Sequence, residues 1–122
     1  MYKRQEYSVS SEEPTEEVEV QEDAASETIA QKNARESAES YLSISAFSRK
    51  GLIEQLEFEE YSTEDAEYAV DALEVDWNEQ AAKSAESYLE LSAFSKQGLI
   101  DQLVFEGYTK AEAEYGAKAA GY

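Results

Sequence analysis

Apolar residues in this chain fall on a helical period, and the same pattern comes round twice. Ala34, Ala38, Tyr41 and Leu42 stand at i, i+4, i+7 and i+8, and Ala81, Ala85, Tyr88 and Leu89 repeat them. Such spacing lays one apolar stripe along a helix that faces a core. A break follows at residues 45–48, where Ser48 can cap a second helix carrying Leu52, Ile53 and Leu56. Its counterpart is capped by Ser95 and carries Leu99, Ile100 and Leu103. A tight corner comes next, Glu60-Tyr61 in the first pass and Gly107-Tyr108 in the second. Gly107 suits the left-handed position that ends a helix, whereas Glu60 adopts it at some cost. Ser62 with Asp65, and Thr109 with Glu112, then have the form of capping boxes. They open a third short helix containing Ala66, Ala69 and Val70, or Ala113, Gly116 and Ala117.

The agreement is one of sequence as well as pattern. Residues 37–68 recur, shifted by 47 places, as residues 84–115, with about two thirds of the aligned positions identical. A duplicated unit means one small fold made twice. The expected fold is all-α: two tandem three-helix, helix-turn-helix-like repeats preceded by a disordered acidic arm. Residues 1–31 are read as the disordered tether, 32–71 as the first repeat, 72–80 as a short connection and 81–122 as the second repeat. The arm is rich in Glu, Ser and Thr, carries the chain's one proline, Pro14, and lacks the apolar surface to offset its ordering entropy. Asp76 and Glu79 form a capping signal for the first helix of the second repeat. Gly51 and Gly98, in the first turn of the second helices, imply a neighbouring backbone close by. Phe58, Tyr68, Phe105 and Tyr115 fall off the main stripes, so they either face a second neighbour in the bundle or form an exposed patch. Trp77 has no aromatic equivalent in the first repeat and is expected to pack the two repeats together, a binding hot spot being the sharper alternative.

Composition narrows the function. The 122 residues carry 28 Asp and Glu against 10 Lys and Arg, a net charge of −18. Nucleic-acid binding is driven by cations neutralising phosphates, and an anionic membrane attracts basic segments, so both partners meet the wrong sign. A basic protein segment is the complementary partner, although an acidic surface also serves solubility alone. With no cysteine and no histidine, thiolate chemistry, disulfides, Ser-His-Asp arrangements and the usual zinc ligands are all absent. Carboxylates abound, but acid-base pairs need a walled cleft that a unit of this size cannot supply. The composition argues against an enzyme and calls for no cofactor. No apolar run approaches the roughly 20 residues that span a bilayer.

A helix-turn-helix pattern raises the question of DNA, with the third helix in the major groove. Here that helix reads STEDAEYAVD and TKAEAEYGAK, with Asp65, Glu67, Glu112 and Glu114 where phosphate would lie. These carboxylates repel a duplex. Several acidic positions recur in both repeats: Glu54 with Asp101, Glu59 with Glu106, Asp65 with Glu112, and Glu67 with Glu114. These eight are the candidate partner-binding residues, an acidic face open to a basic helix or tail. No segment has the alternating oxygen ligands, central glycine and terminal Glu of a calcium loop.

The twice-repeated pattern SAESYL, SAFS, GLI, QL, FE, Y and AEY, with WNEQAA at the junction, resembles the repeats of host cell surface-exposed lipoproteins of the Ltp type. The resemblance covers residues 34–122, about seven tenths of the chain. It implies a lipid-anchored, outward-facing protein, of the kind carried by temperate phages of Gram-positive bacteria, that excludes superinfecting phage by blocking DNA entry. The implied target is a basic segment of the incoming phage's tape measure protein; a structural or adhesive surface module without a phage target is the alternative. Signal peptide and anchor cysteine do not occur in this sequence. The expectation is a chain that starts downstream of the cleavage site, soluble as given, whose acidic arm serves as a spacer through the wall.

Overall fold

The computed structural model describes residues 26–122, and the expected disorder of the acidic arm falls outside that range as far as residue 25. Six α-helices and no strand occur among the described residues: α1 Ile29–Ile44, α2 Arg49–Phe58, α3 Thr63–Ala72, α4 Trp77–Leu91, α5 Lys96–Phe105 and α6 Lys110–Ala119. The chain is two tandem three-helix repeats, α1–α3 and α4–α6, as the duplicated pattern requires. Of the stretch 72–80 read as a connection, only residues 73–76 lie between helices. The difference has a local cause: the Asp76 carboxylate accepts from the Glu79 N–H at 3.1 Å, so α4 starts directly behind it.

Each helix start is chemically fixed. Ser48, Ser62, Ser95 and Thr109 all take extended backbone and accept from the N–H three residues on. This satisfies one of the amides that a helix N-terminus leaves without an internal partner. Of the two expected boxes at the third helices, the second is complete, with the Glu112 carboxylate accepting from the Thr109 N–H at 3.0 Å. A further box, outside the duplicated pattern, opens α1. Thr28 and Gln31 bond reciprocally, N–H to side chain in each direction, at 2.9 and 3.0 Å. The Thr-x-x-Gln spacing was its signal.

The corners follow the sequence closely. Gly107 has φ +111° and Glu60 φ +76°, both left-handed, with Glu74 (φ +52°) a third such residue that the pattern did not announce. Gly51 and Gly98 correct the expectation made for them. A Cβ on Gly98 would meet only the Oγ of its own cap, Ser95, at 3.0 Å. On Gly51 it would meet Ser48 Oγ at 2.9 Å and then the Glu106 carbonyl at 3.4 Å. The capping hydroxyl is therefore the common reason for glycine in the first turn, and a neighbouring backbone adds to it only at Gly51.

Two apolar clusters form the interior, one per repeat, and they are built mainly from alanine and a few large side chains. Leu52, Leu56 and Val70 fill the first, and Leu99 and Leu103 the second, all fully buried. Alanine lets short helices approach closely, and Gly116 carries this furthest. A Cβ there would lie 2.7 Å from the Ala81 carbonyl oxygen. The first repeat has Ala69 in the same place and is looser: Ser37 and Tyr61 hydroxyls are 3.3 Å apart, against 2.7 Å for Ser84 and Tyr108. Replacing Gly116 by alanine is expected to lower the melting temperature, although alanine is the better helix former by about 1 kcal/mol. The added methyl meets backbone that cannot turn aside, and such overpacking costs about 1–3 kcal/mol. Thermal denaturation followed by circular dichroism checks this, and a rise in melting temperature would contradict the packing argument.

Candidate functional site

The repeats meet through specific polar contacts. Trp77, the first residue of α4, packs on the core of the first repeat, which is the junction role expected for it. One turn on, buried Gln80 accepts from the Phe47 N–H at 2.9 Å. Ser48 serves both repeats: its Oγ accepts from the Gly51 N–H at 2.9 Å and donates to the Glu106 carbonyl at 2.7 Å. The corner after α5 therefore sits on the N-terminus of α2. Gly107 is required there twice over, by its positive φ and because a Cβ would lie 2.6 Å from Ser48 Oγ.

Beside this seam is an open groove of about 220 Å³. One wall is the corner of the first repeat at Ser45 and Ala46; the other is a stripe of α4 at i, i+3, i+4 and i+7, namely Ser84, Ser87, Tyr88 and Leu91, with Glu106 completing the lining. Tyr88 is held by an edge-to-face contact with Phe94 (centroids 5.6 Å apart) and by the Gln102 amide, which donates to its hydroxyl at 3.2 Å. Ser84 leads inward to Tyr108, only 2% exposed, whose hydroxyl also donates to the Gln80 carbonyl at 3.0 Å. Desolvation pushes the Tyr108 phenol up to about 12, with the Ser84 bond opposing and Glu106 and Glu112 adding. A raised folded value means that the stability tied to the neutral phenol is whole below the ordinary value of 10.0 and is lost as pH rises through about 12. Alkaline titration should show a last tyrosine ionising late, with helicity falling in the same window. Ionisation of every tyrosine near the ordinary value with the helices intact would contradict it.

The eight candidate carboxylates do not converge on one site. Glu54, Glu67, Asp101 and Glu114 are exposed on the outer faces of α2, α3, α5 and α6. Asp65 and Glu112 are half-buried in the first turns of α3 and α6; both donate their backbone N–H to the cap, but only the Glu112 carboxylate is itself engaged, accepting from the Thr109 N–H. Asp101 accepts from the Gln97 amide at 2.9 Å. Glu59 and Glu106 occupy the same place in their repeats, the C-caps of α2 and α5, yet their surroundings differ. The Glu59 carboxylate accepts a short hydrogen bond from Tyr41, which holds that phenol above its usual range. Glu106 faces the groove, where desolvation raises its carboxyl above the usual carboxylate value although the residue as a whole is exposed. Elsewhere, Arg49 makes a two-pronged bond to Asp71 at 2.8 and 2.9 Å and holds that carboxyl below its usual range.

The off-stripe aromatics resolve mostly as exposed. Phe58 and Phe105 are 83% and 84% exposed and Tyr115 is half in water, while Tyr68 packs against the first core. A second neighbour in the bundle is thus ruled out for the two phenylalanines. They end ten-residue helices whose buried face is already complete at residues 52, 53 and 56, or 99, 100 and 103. Ile44 and Leu91, the last residues of α1 and α4, are equally exposed in both repeats. Among the described residues no cluster of His, Cys, Asp or Glu could hold a metal ion, and no helix is long and apolar enough to cross a membrane.

Two tandem three-helix units with a built junction and an acidic exterior define a helical repeat protein. The sequence profile of host cell surface-exposed lipoproteins, Lipoprotein_Ltp, matches residues 30–73 and again residues 76–119. The chain belongs to that family. Among solved structures it is similar to Ltp, a superinfection exclusion protein from the Streptococcus thermophilus temperate phage TP-J34. The two are 32% identical with a TM-score of 0.70, over 75% of this chain and 96% of that one. No curated protein matches the chain.

Proposed function

We propose that this protein excludes superinfecting phage. Held by a lipid anchor on the outer face of the cell membrane, it blocks DNA injection by binding a basic segment of the incoming phage's tape measure protein. The observation that carries the reading is the 32% identity to a superinfection exclusion protein across 96% of the chain in its solved structure. The family's description as host cell surface-exposed lipoproteins supports the surface anchor. Charge supports the class of partner: at −18 the chain steers cations towards itself and repels nucleic acid. The eight carboxylates contribute as a distributed field, with Glu54, Glu67, Asp101 and Glu114 free of capping duty and so available to a partner.

The test is retention of purified tape measure protein on the immobilised chain across a salt series. Retention at low salt that fades towards physiological ionic strength is expected, since screening acts on exposed charge pairs. Absence of retention at every salt concentration would leave a structural or adhesive module as the better reading. Tight binding of random duplex DNA at low salt would overturn the charge argument.

A further inference from the structure

The groove beside the junction distinguishes two carboxylates that duplication made equivalent. In the first repeat Glu59 is occupied by the Tyr41 hydroxyl. Tyr41 and Tyr88 accept alike from Gln55 and Gln102, at 3.3 and 3.2 Å, but only Tyr41 also donates to its repeat's glutamate, and the Glu106 carboxylate has no partner among the described residues. Three features make that position attractive to a cation. Glu106 is the C-cap of α5, where the last carbonyls already carry partial negative charge, and no basic residue stands in the last turn to offset it. The Glu106 carbonyl is committed to Ser48, which fixes the backbone and so the reach of the carboxylate. The groove wall beside it is the Tyr88 ring and the exposed Leu91 side chain, which suits an aliphatic stem.

We propose that the inter-repeat groove takes an arginine side chain of the captured segment, with the guanidinium on Glu106 and the stem along Tyr88 and Leu91. This rests on the reading that the chain captures a basic protein segment, and it places the specific contact at the second repeat's side of the junction. Arginine fits better than lysine because a guanidinium is planar, stacks on an aromatic ring and gives up its hydration more readily. Desolvation that raises the Glu106 carboxyl agrees with a site awaiting a counter-charge.

The test uses the full 122-residue chain and butylguanidinium as the probe, followed by NMR. Shifts should concentrate at Ala46, Tyr88, Leu91 and Glu106, and the Glu106 carboxyl should titrate at lower pH when the probe is bound. Glu106→Gln should weaken the response at least ten-fold, while Glu59→Gln leaves it unchanged. Shifts spread evenly over the surface carboxylates, or a response that survives Glu106→Gln, would overturn the proposal. A stronger response to butylammonium would overturn the assignment to arginine. The broader reading is judged separately: Glu106→Gln protein that fails to bind the probe yet still excludes phage in cells would remove this site and leave exclusion standing.

Discussion

Leu103→Ala is expected to destabilise the protein by about 2–5 kcal/mol, near the upper end of that range. Leu103 is fully buried in a core whose other buried members are four alanines with Leu99, Ile100 and Tyr108, and Tyr88, Leu89 and Phe94 pack against it from the edge. Alanines cannot swing into the space a leucine leaves, so the cavity stays largely open. Leu103 lies in the last turn of α5, its carbonyl accepting from the N–H groups of Glu106 and Tyr108 at 3.1 and 3.2 Å. For a protein of this size the loss lowers the melting temperature by roughly 10 °C or more. Trp77 adds a second readout. It is the one tryptophan and it packs on the first core, so its fluorescence reports the repeat that does not contain Leu103. With Gln80 and Ser48 also bridging the seam, fluorescence and circular dichroism should shift together. A fluorescence transition left at its wild-type temperature would show that the repeats fold independently.

Much of this architecture could be read from spacing alone, because the signals were local. The caps at Ser48, Ser62, Ser95 and Thr109 depend on residues three apart, and the stripes through Leu52 to Leu56 and Leu99 to Leu103 depend on one helix each. The left-handed corner at Gly107 was legible for the same reason. What the sequence hid was non-local. Nothing in the identity of Ser48 says that its hydroxyl, besides capping α2, donates to a carbonyl 58 residues away. Gly116 looks like a weak helix position until Ala81 is seen against it. The eight carboxylates stand out by their recurrence, and recurrence cannot tell a capping role from an open one. The Glu112 carboxylate is bound into a helix start, whereas Glu54 and Glu114 project into water. Nor could it separate Glu59 from Glu106, whose difference is that Tyr41 donates to the first while Tyr88, held by the same kind of glutamine bond, does not donate to the second.

That distinction shapes the second large prediction. Converting Glu54, Glu67, Asp101 and Glu114 to Lys adds two charges at each site and takes the net charge from −18 to −10. These residues are exposed and outside the caps, so stability should change by only about 0.5 kcal/mol per site. Reversing Glu112 instead would confound binding with folding, since its carboxylate closes the Thr109 capping box and loss of a cap costs about 1 kcal/mol. Association with the basic segment should slow by about 10- to 1000-fold at low salt, because steering depends on the summed field. Dissociation should change less, as outer charges act mainly on the on-rate. Surface plasmon resonance across a salt series separates the two rates. Equal association rates for the wild-type and reversed proteins at low salt would count against an electrostatic capture.

The most direct test of the central claim is phage DNA entry into cells that display the protein on their outer surface, measured with adsorption monitored in parallel. The account predicts normal adsorption and blocked entry for the wild type, and restored entry for the quadruple charge-reversed protein displayed at the same level. Full protection by the reversed protein, or equal protection by a form held in the cytoplasm, would contradict it.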